Sequence, residues 1–199
     1  MTTTSITLRE RFFTEDRREI LRSGVLSAHV FRYESGIAGL RLENDRGHLV
    51  ILPFMGQMIW DAVFDGVDLS MADMFAEPRH AADIAGTYGC FAFHSGLLRN
   101  GCPSPADDHP LHGEMPCAPM QEAGLEVGED AEGPYLAATG LREYVMGFGA
   151  HYRARPRVVL RPGTALFDME MAVENCSFAP MDLMYMSHVN FAFVEGGRI

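Results

Sequence analysis

From residue 25 onward the sequence is divided into short apolar segments by Gly, Asn and Asp, and this pattern constrains the fold most. Residues 165–173 are the clearest segment, because polar and apolar side chains alternate along much of it. One face would carry Phe167, Met169, Met171 and Val173, and the other Leu166, Asp168, Glu170 and Ala172. This period of two is typical of a half-buried antiparallel strand.

Similar segments predict strands over residues 25–33, 38–42, 48–53, 58–64, 134–139, 143–153, 157–160 and 181–193. Turn residues separate several of them, at 44–47, 65–66 and 161–163. Residues 71–119 hold six of the eleven prolines and read as long loops. We therefore expect an all-β, antiparallel domain over residues 25–199. Residues 1–24 are expected to be an extension with a short helix over 14–22, capped by Thr14.

Charge and composition exclude several classes of protein. The chain has 27 acidic and 16 basic residues, a net charge of −11, which argues against a nucleic-acid partner. No apolar run of about 20 residues predicts a membrane span, and the N-terminus does not resemble a secretory signal. The four cysteines form no CxxC pair, so we expect reduced thiols and a cytoplasmic protein. Nothing in the sequence fixes an oligomeric state.

The loop segment His109-Pro-Leu-His112-Gly-Glu114 is the first candidate site. Two imidazoles and a carboxylate are a ligand set that zinc, iron or manganese accepts. Pro110 excludes a regular helix here, so the segment is not a helical metalloprotease motif. The alternative is that these are three polar residues on a solvated loop, and the spacing alone leaves both interpretations open.

His188 is the second candidate, because it interrupts an almost wholly apolar run over residues 183–193. An isolated histidine in such a strand is often a core residue bonded to a carbonyl. Asn190, however, is two residues further and therefore on the same face of the predicted strand. Two polar side chains side by side indicate the lining of a pocket, where a histidine can act as a general acid.

These segments resemble a known family. Leu111-His112-Gly113-Glu114 is similar to the Leu-His-Gly-Gly motif of galactose mutarotases. The stretch from Asn175 through Pro180 to Ser187-His188-Val-Asn-Phe191 resembles the family's Asn-x-Ser/Thr…Pro…His-x-Tyr-Phe-Asn segment. Gly96-Leu-Leu-Arg99-Asn100 resembles its sugar-binding Gly-Arg-x-x-Asn-Arg stretch. The matches occur in the family order over about residues 40–193 and resemble a divergent branch of the aldose 1-epimerase superfamily.

The resemblance implies an antiparallel, galactose mutarotase-like β-supersandwich that binds a small-molecule sugar without a metal or organic cofactor. It implies that His188 is the general acid for interconversion of the sugar's anomers and that His112 lies near the same ring oxygen. Arg99, Asn100 and Asn190 would bind hydroxyl groups. Glu114, which replaces the second glycine of the motif, is assigned to the same binding face.

The resemblance also implies a catalytic glutamate on a strand well beyond the histidine segment, and the sequence ends eleven residues after His188. Either the chain is the N-terminal part of a longer enzyme, or the base is replaced. Two further functions remain open at this point. One is a sugar-binding protein without catalysis. The other is a metal-dependent sugar isomerase that uses His109, His112 and Glu114.

Overall fold

A computed structural model describes residues 3–197, and within this range thirteen strands form. Helical structure there is limited to two 3₁₀ turns, Glu10–Phe12 and Ile84–Thr87, and no helix has the length and hydrophobicity of a membrane span. The strands are β1 Thr3–Thr7, β2 Arg18–Ser23, β3 Leu26–Arg32, β4 Ala38–Glu43, β5 Gly47–Leu52, β6 Met58–Phe64, β7 Val67–Asp68, β8 Ala92–Ser95, β9 Glu122–Asp130, β10 Gly133–Val145, β11 His151–Leu160, β12 Phe167–Asn175 and β13 Met186–Val189.

The strands form two antiparallel sheets. The smaller sheet has five strands in the order β1-β9-β10-β11-β12. The larger has eight, in the order β13-β8-β6-β5-β4-β3-β2, with the short strand β7 paired to β6. Consecutive strands are mostly neighbours, as expected when tight turns join them. The antiparallel all-β fold predicted from the sequence is therefore confirmed, and β12 alternates between partly buried and exposed residues from Phe167 to Glu174.

The main core lies between the two sheets. Leu40, Leu49 and Ile51 of the larger sheet are fully buried in one cluster with Leu136 and Val158 of the smaller sheet. Because side chains alternate along a strand, the residues between these point to the opposite face of the larger sheet.

That opposite face is also covered. Leu52, Met58, Trp60 and Phe93 form a second buried cluster there with Ile84, which comes from the long connection between β7 and β9 that the short strand β8 interrupts. The long connection therefore packs over the outer face of the larger sheet. This packing creates a second layer of core outside the sandwich, and the candidate site lies at its margin.

The helix predicted over residues 14–22 is wrong, because residues 18–23 are strand β2. Gly24, at a φ of 61°, turns the chain so that β2 pairs antiparallel with β3. A register shift between Glu19 and Leu21 lets both Ile20 and Leu21 pack against the core. These tertiary contacts outweigh a weak local helix propensity.

Four other predictions differ in detail. Strand β8 lies inside the segment predicted as loop, and β9 was missed because its two glycines and four acidic residues have low strand propensity. The strand predicted over residues 143–153 is two strands joined by a turn in which Phe148 has a φ of 60°. The strand predicted over residues 181–193 is regular only in β13.

Candidate functional site

Two histidines that are 76 residues apart in the sequence meet at the edge of the larger sheet. The ring centroids of His112 and His188 are 4.6 Å apart, and the rings are inclined at 64°. Both side chains are partly exposed. The structure therefore brings together the two residues that the sequence analysis expected at one site.

His188 is positioned by strand pairing. It lies on β13 directly opposite Phe93 of β8, and its ring stacks on the Phe93 ring at 4.6 Å with an interplanar angle of 11°. Phe93 is fully buried in the outer core cluster. The histidine ring therefore rests on a fixed apolar floor on the outer face of the larger sheet.

His112 is positioned by a dense set of backbone contacts. Its N–H donates to the Gly101 carbonyl at 2.9 Å, and its own carbonyl accepts from the Gly96 N–H at 2.8 Å and the Ser95 hydroxyl at 3.1 Å. Its φ of 60° is unusual for a residue with a side chain. The following Gly113 has a φ of 83°, and a Cβ there would lie 2.2 Å from the Arg99 carbonyl oxygen. The glycine after His112 is therefore required by the backbone conformation of this segment.

The surroundings of the pair disfavour charge. Burial lowers the pKa of His112, and burial together with the neighbouring His112 lowers the pKa of His188. The Nδ1 atom of each ring is buried and has no hydrogen-bond partner in the described structure. Exchange of protons with a ligand is therefore left to the two Nε2 atoms.

Tyr88 is a member of this group that the sequence analysis did not identify. Its hydroxyl lies 3.3 Å from Nε2 of His188, and its ring packs edge-on against His188 and Phe93. The 3₁₀ turn Ile84–Thr87 places it, because the Asp83 carboxylate accepts from the Ala85 N–H and fixes the start of that turn. No local sequence signal marks an isolated tyrosine in a loop.

Arg99 and Asn100 belong to the loop beneath His112. The Asn100 side-chain oxygen accepts from the Ser95 hydroxyl and from the Gly101 N–H, so Asn100 shapes the loop that holds the His112 backbone. Arg99 is exposed, and it lines an open groove of about 660 Å³ with His109. The lining of that groove does not include the histidine pair. Sugar-hydroxyl binding by Arg99 and Asn100 stays a prediction.

Glu114 has a different environment from the one expected. One carboxylate oxygen accepts from the Leu97 and Leu98 N–H groups, both at 3.0 Å, and from the Tyr152 hydroxyl at 2.8 Å. The glutamate therefore ties the 96–101 loop to strand β11 of the other sheet. Its substitution for glycine has a clear structural role, and ligand binding would be left to its second oxygen.

The three residues of the metal hypothesis do not form a ligand group. Nδ1 of His109 lies 2.8 Å from the Pro110 carbonyl, and Glu114 is bonded as described above. Within residues 3–197, no three side chains of His, Cys, Asp or Glu are grouped so that they could hold a metal ion. The arrangement therefore gives no support to an isomerase that uses His109, His112 and Glu114.

Asn190 is mostly buried just beyond the end of β13. Its side chain is 8% exposed and donates to the Cys90 carbonyl at 3.0 Å. Strand β13 ends at Val189, although the Asn190 N–H still donates to the Phe91 carbonyl at 2.7 Å. These bonds anchor the end of the strand, and sugar-hydroxyl binding by Asn190 stays a prediction.

Comparison with known proteins agrees with the architecture. The fold is similar to that of a crystal structure from Klebsiella pneumoniae subsp. pneumoniae MGH 78578, described as a "putative aldose 1-epimerase", with a TM-score of 0.77 and 17% sequence identity. The alignment covers 96% of this chain and 56% of that one, so the chain spans little more than half of the related protein's length. The similarity shows an aldose 1-epimerase-like fold. No curated protein matches the sequence.

A family model covers most of the chain. It is described as "Domain of unknown function (DUF4432)" and matches residues 34–195, a range that includes β4 to β13 and all the candidate site residues. With its aldose 1-epimerase-like β-sandwich, the chain belongs to the DUF4432 family.

Proposed function

We propose that this chain binds a monosaccharide at the His112–His188 pair and interconverts its anomers by opening and closing the sugar ring. The observation that carries the proposal is the 4.6 Å contact between two histidine rings from distant segments, on the outer face of an aldose 1-epimerase-like sandwich. The fold alone does not define an activity, so the proposal depends on this pair.

The chemistry needs two proton transfers. A general acid protonates the ring oxygen as its bond to C1 breaks, and a base removes the proton of the anomeric hydroxyl, which leaves an aldehyde at C1. Rotation about the C1–C2 bond and closure on the other face give the second anomer. His188 is the proposed acid, and His112 supports it at the same oxygen. Arg99 and Asn100 are proposed to bind hydroxyl groups.

The lowered pKa of His188 suits an acid that must release its proton. Burial of Nδ1 makes the imidazolium less stable than in water, so its proton passes more readily to an oxygen with developing negative charge. The same shift leaves fewer molecules protonated at neutral pH. Activity is therefore expected to rise as the pH is lowered from 8 towards 6.

The test is exchange spectroscopy by NMR, which measures the interconversion rate of α and β anomers for a panel of hexoses and pentoses. The intact chain should accelerate exchange of at least one sugar, and His188→Gln should slow it by about 10² to 10⁴-fold, the usual contribution of a general acid. His109→Gln is the matched control, since that histidine lies in the same loop segment as His112 but outside the pair, and it should retain the activity.

A sugar-binding protein without catalysis is the second candidate. Among the described residues neither His112 nor His188 forms a hydrogen bond or ion pair with a carboxylate, and the side-chain contact of His188 is to the Tyr88 hydroxyl. This alternative predicts saturable sugar binding that His188→Gln weakens, with anomer exchange as slow as in buffer. The same experiment separates the two functions.

A further inference from the structure

The ring nitrogen of His188 that is left for proton exchange, Nε2, contacts the hydroxyl of Tyr88. Nδ1 is buried without a partner, and Nε2 lies 3.3 Å from the Tyr88 oxygen. A direct transfer from Nε2 to a sugar oxygen would need the phenol to be displaced. Hydrogen bonds of catalytic groups in unliganded proteins are often somewhat long, so 3.3 Å is compatible with a working contact.

The tyrosine is held in place from three sides. Its ring centroid is 5.9 Å from Phe93, 6.1 Å from His188 and 6.5 Å from His112. It follows the 3₁₀ turn Ile84–Thr87, in which Ile84 and Thr87 are both fully buried. The phenol therefore belongs to the same packed unit as the two histidines.

We infer that Tyr88 is a further catalytic residue, through which His188 delivers its proton to the sugar. This inference rests on the proposed function. A phenol both accepts and donates, so it can join an imidazolium to a sugar oxygen in one hydrogen-bonded chain.

The relay is balanced in atoms and charge. The Nε2–H bond of the His188 imidazolium breaks as its proton passes to the Tyr88 oxygen. The proton already on Tyr88 passes to the sugar's ring oxygen, which takes the electron pair of the breaking C1–O bond. A water molecule accepts the proton of the anomeric hydroxyl, and C1 becomes a carbonyl carbon. Tyr88 ends with one proton, as it began, and His188 ends neutral.

The environment of Tyr88 favours this use. Burial, followed by the nearby Cys90 and Cys102, raises the pKa of the Tyr88 phenol above its ordinary value. The hydroxyl therefore stays protonated throughout the neutral range and remains a donor to the sugar. Because Tyr88 stays neutral while it passes the proton, it needs no counter-ion.

The decisive experiment measures anomer exchange for Tyr88→Phe in mixtures of H₂O and D₂O. Phenylalanine keeps the ring packing and removes only the hydroxyl. We expect exchange to slow by about 10²-fold or more. We also expect the dependence of rate on deuterium fraction to be more strongly bowed in the parent, where two protons move along the relay, than in the variant, where one proton moves to the ring oxygen. Loss of structure alone would lower the rate without reducing this curvature.

Tyr135→Phe is the matched control, because Tyr135 is buried in a separate cluster with Ala137 and Val159 of the smaller sheet. It should leave both the rate and the curvature unchanged. If the parent accelerates exchange and Tyr88→Phe does so equally well, the relay is wrong while the proposed function stands. If the parent accelerates no sugar of the panel, the proposed function fails and the relay fails with it.

Discussion

His94 is a fully buried histidine next to the site, on the face of β8 opposite to Phe93. Its Nδ1 lies 2.9 Å from the Tyr185 hydroxyl, and its Nε2 has no partner among the described residues. Burial lowers its pKa to about 4. The histidine is therefore neutral in the folded protein at physiological pH, because burial removes the water that would stabilise its charged form.

This histidine makes stability depend on pH. Its pKa is about 4 when folded and about 6.5 when unfolded, so below pH 6.5 the unfolded chain binds a proton that the folded chain does not. His94 should thus cost about 2 kcal/mol of the free energy of unfolding between pH 7 and pH 5. Urea unfolding at the two pH values measures this loss.

His94→Gln removes the titrating group and keeps hydrogen-bonding capacity. The free energy of unfolding of the variant should fall between pH 7 and pH 5 by about 2 kcal/mol less than that of the parent. His48, whose pKa is also lowered to about 4, contributes to the loss that remains. An equal loss in parent and variant would show that His94 is not held neutral by burial.

Single residues were predictable where they contrast with their neighbours along the chain. His188 stands out because its strand is otherwise apolar, and His112 because a glycine follows it in a recognisable motif. The burial of Asn190 could not be predicted, since the end of β13 cannot be read from an apolar run that continues past it. Tyr88 could not be predicted, because its only distinguishing property is a contact made across 100 residues.

At the level of elements, the 96–101 loop and the 112–115 segment are packed as one unit. Gly113 lies where the two pack tightly, with positive φ and no room for a Cβ, since a Cβ there would lie within 2.8 Å of the Arg99 and Gly96 oxygens. Gly101, in the same unit, also has a positive φ of 79° but has open space where a Cβ would be.

This contrast gives a matched pair of variants. Gly101→Ala should cost about 1 kcal/mol of stability, from backbone strain alone. Gly113→Ala adds a steric clash and should cost at least about 3 kcal/mol, and it should also move the His112 ring and lower sugar binding. Thermal unfolding and sugar titration check both effects. Equal costs for the two variants would mean that the loop does not press on Gly113 as described.

Strand β13 carries His188 at an edge of the larger sheet, where β8 is its one neighbour among the described residues. Met186 and Val189 of this strand are exposed, whereas β5 lies between two neighbours and is largely buried. Edge positions open more readily than central ones. Amide hydrogens of β13 should exchange with solvent at least about 10-fold faster than those of β5, as measured by NMR. Equal protection of the amide hydrogens in both strands would contradict the edge position of β13.

Elements of the sandwich were predictable to the extent that pairing preserved their local pattern. The predicted strand over residues 58–64 coincides with β6, and β12 keeps the alternation that defined it. Strand β2 has a helix-compatible sequence, and only the Gly24 turn and pairing with β3 make it a strand. The four-residue β8 carries too few residues for any period to be seen, although it supports the site.

At the scale of the whole molecule, the site is a product of the complete tertiary fold. Tyr88 and His112 come from the long connection that covers the outer face of the larger sheet, Phe93 from β8 and His188 from β13. His188 lies 76 residues or more from the other three in sequence. The histidine pair therefore exists only when the connection has packed and the edge strand has formed, and binding at the pair reports on both.

The most direct test of a sugar site at His112 and His188 is a titration of histidine ring resonances by NMR with each monosaccharide of the panel. We predict that one sugar shifts the His112 and His188 signals together, with a single dissociation constant. His29 and His151, which pair with Glu43 and Glu143 on other strands, should stay unmoved. Signals of the pair that remain unchanged with every sugar, or shifts at His29 and His151 instead, would contradict this prediction.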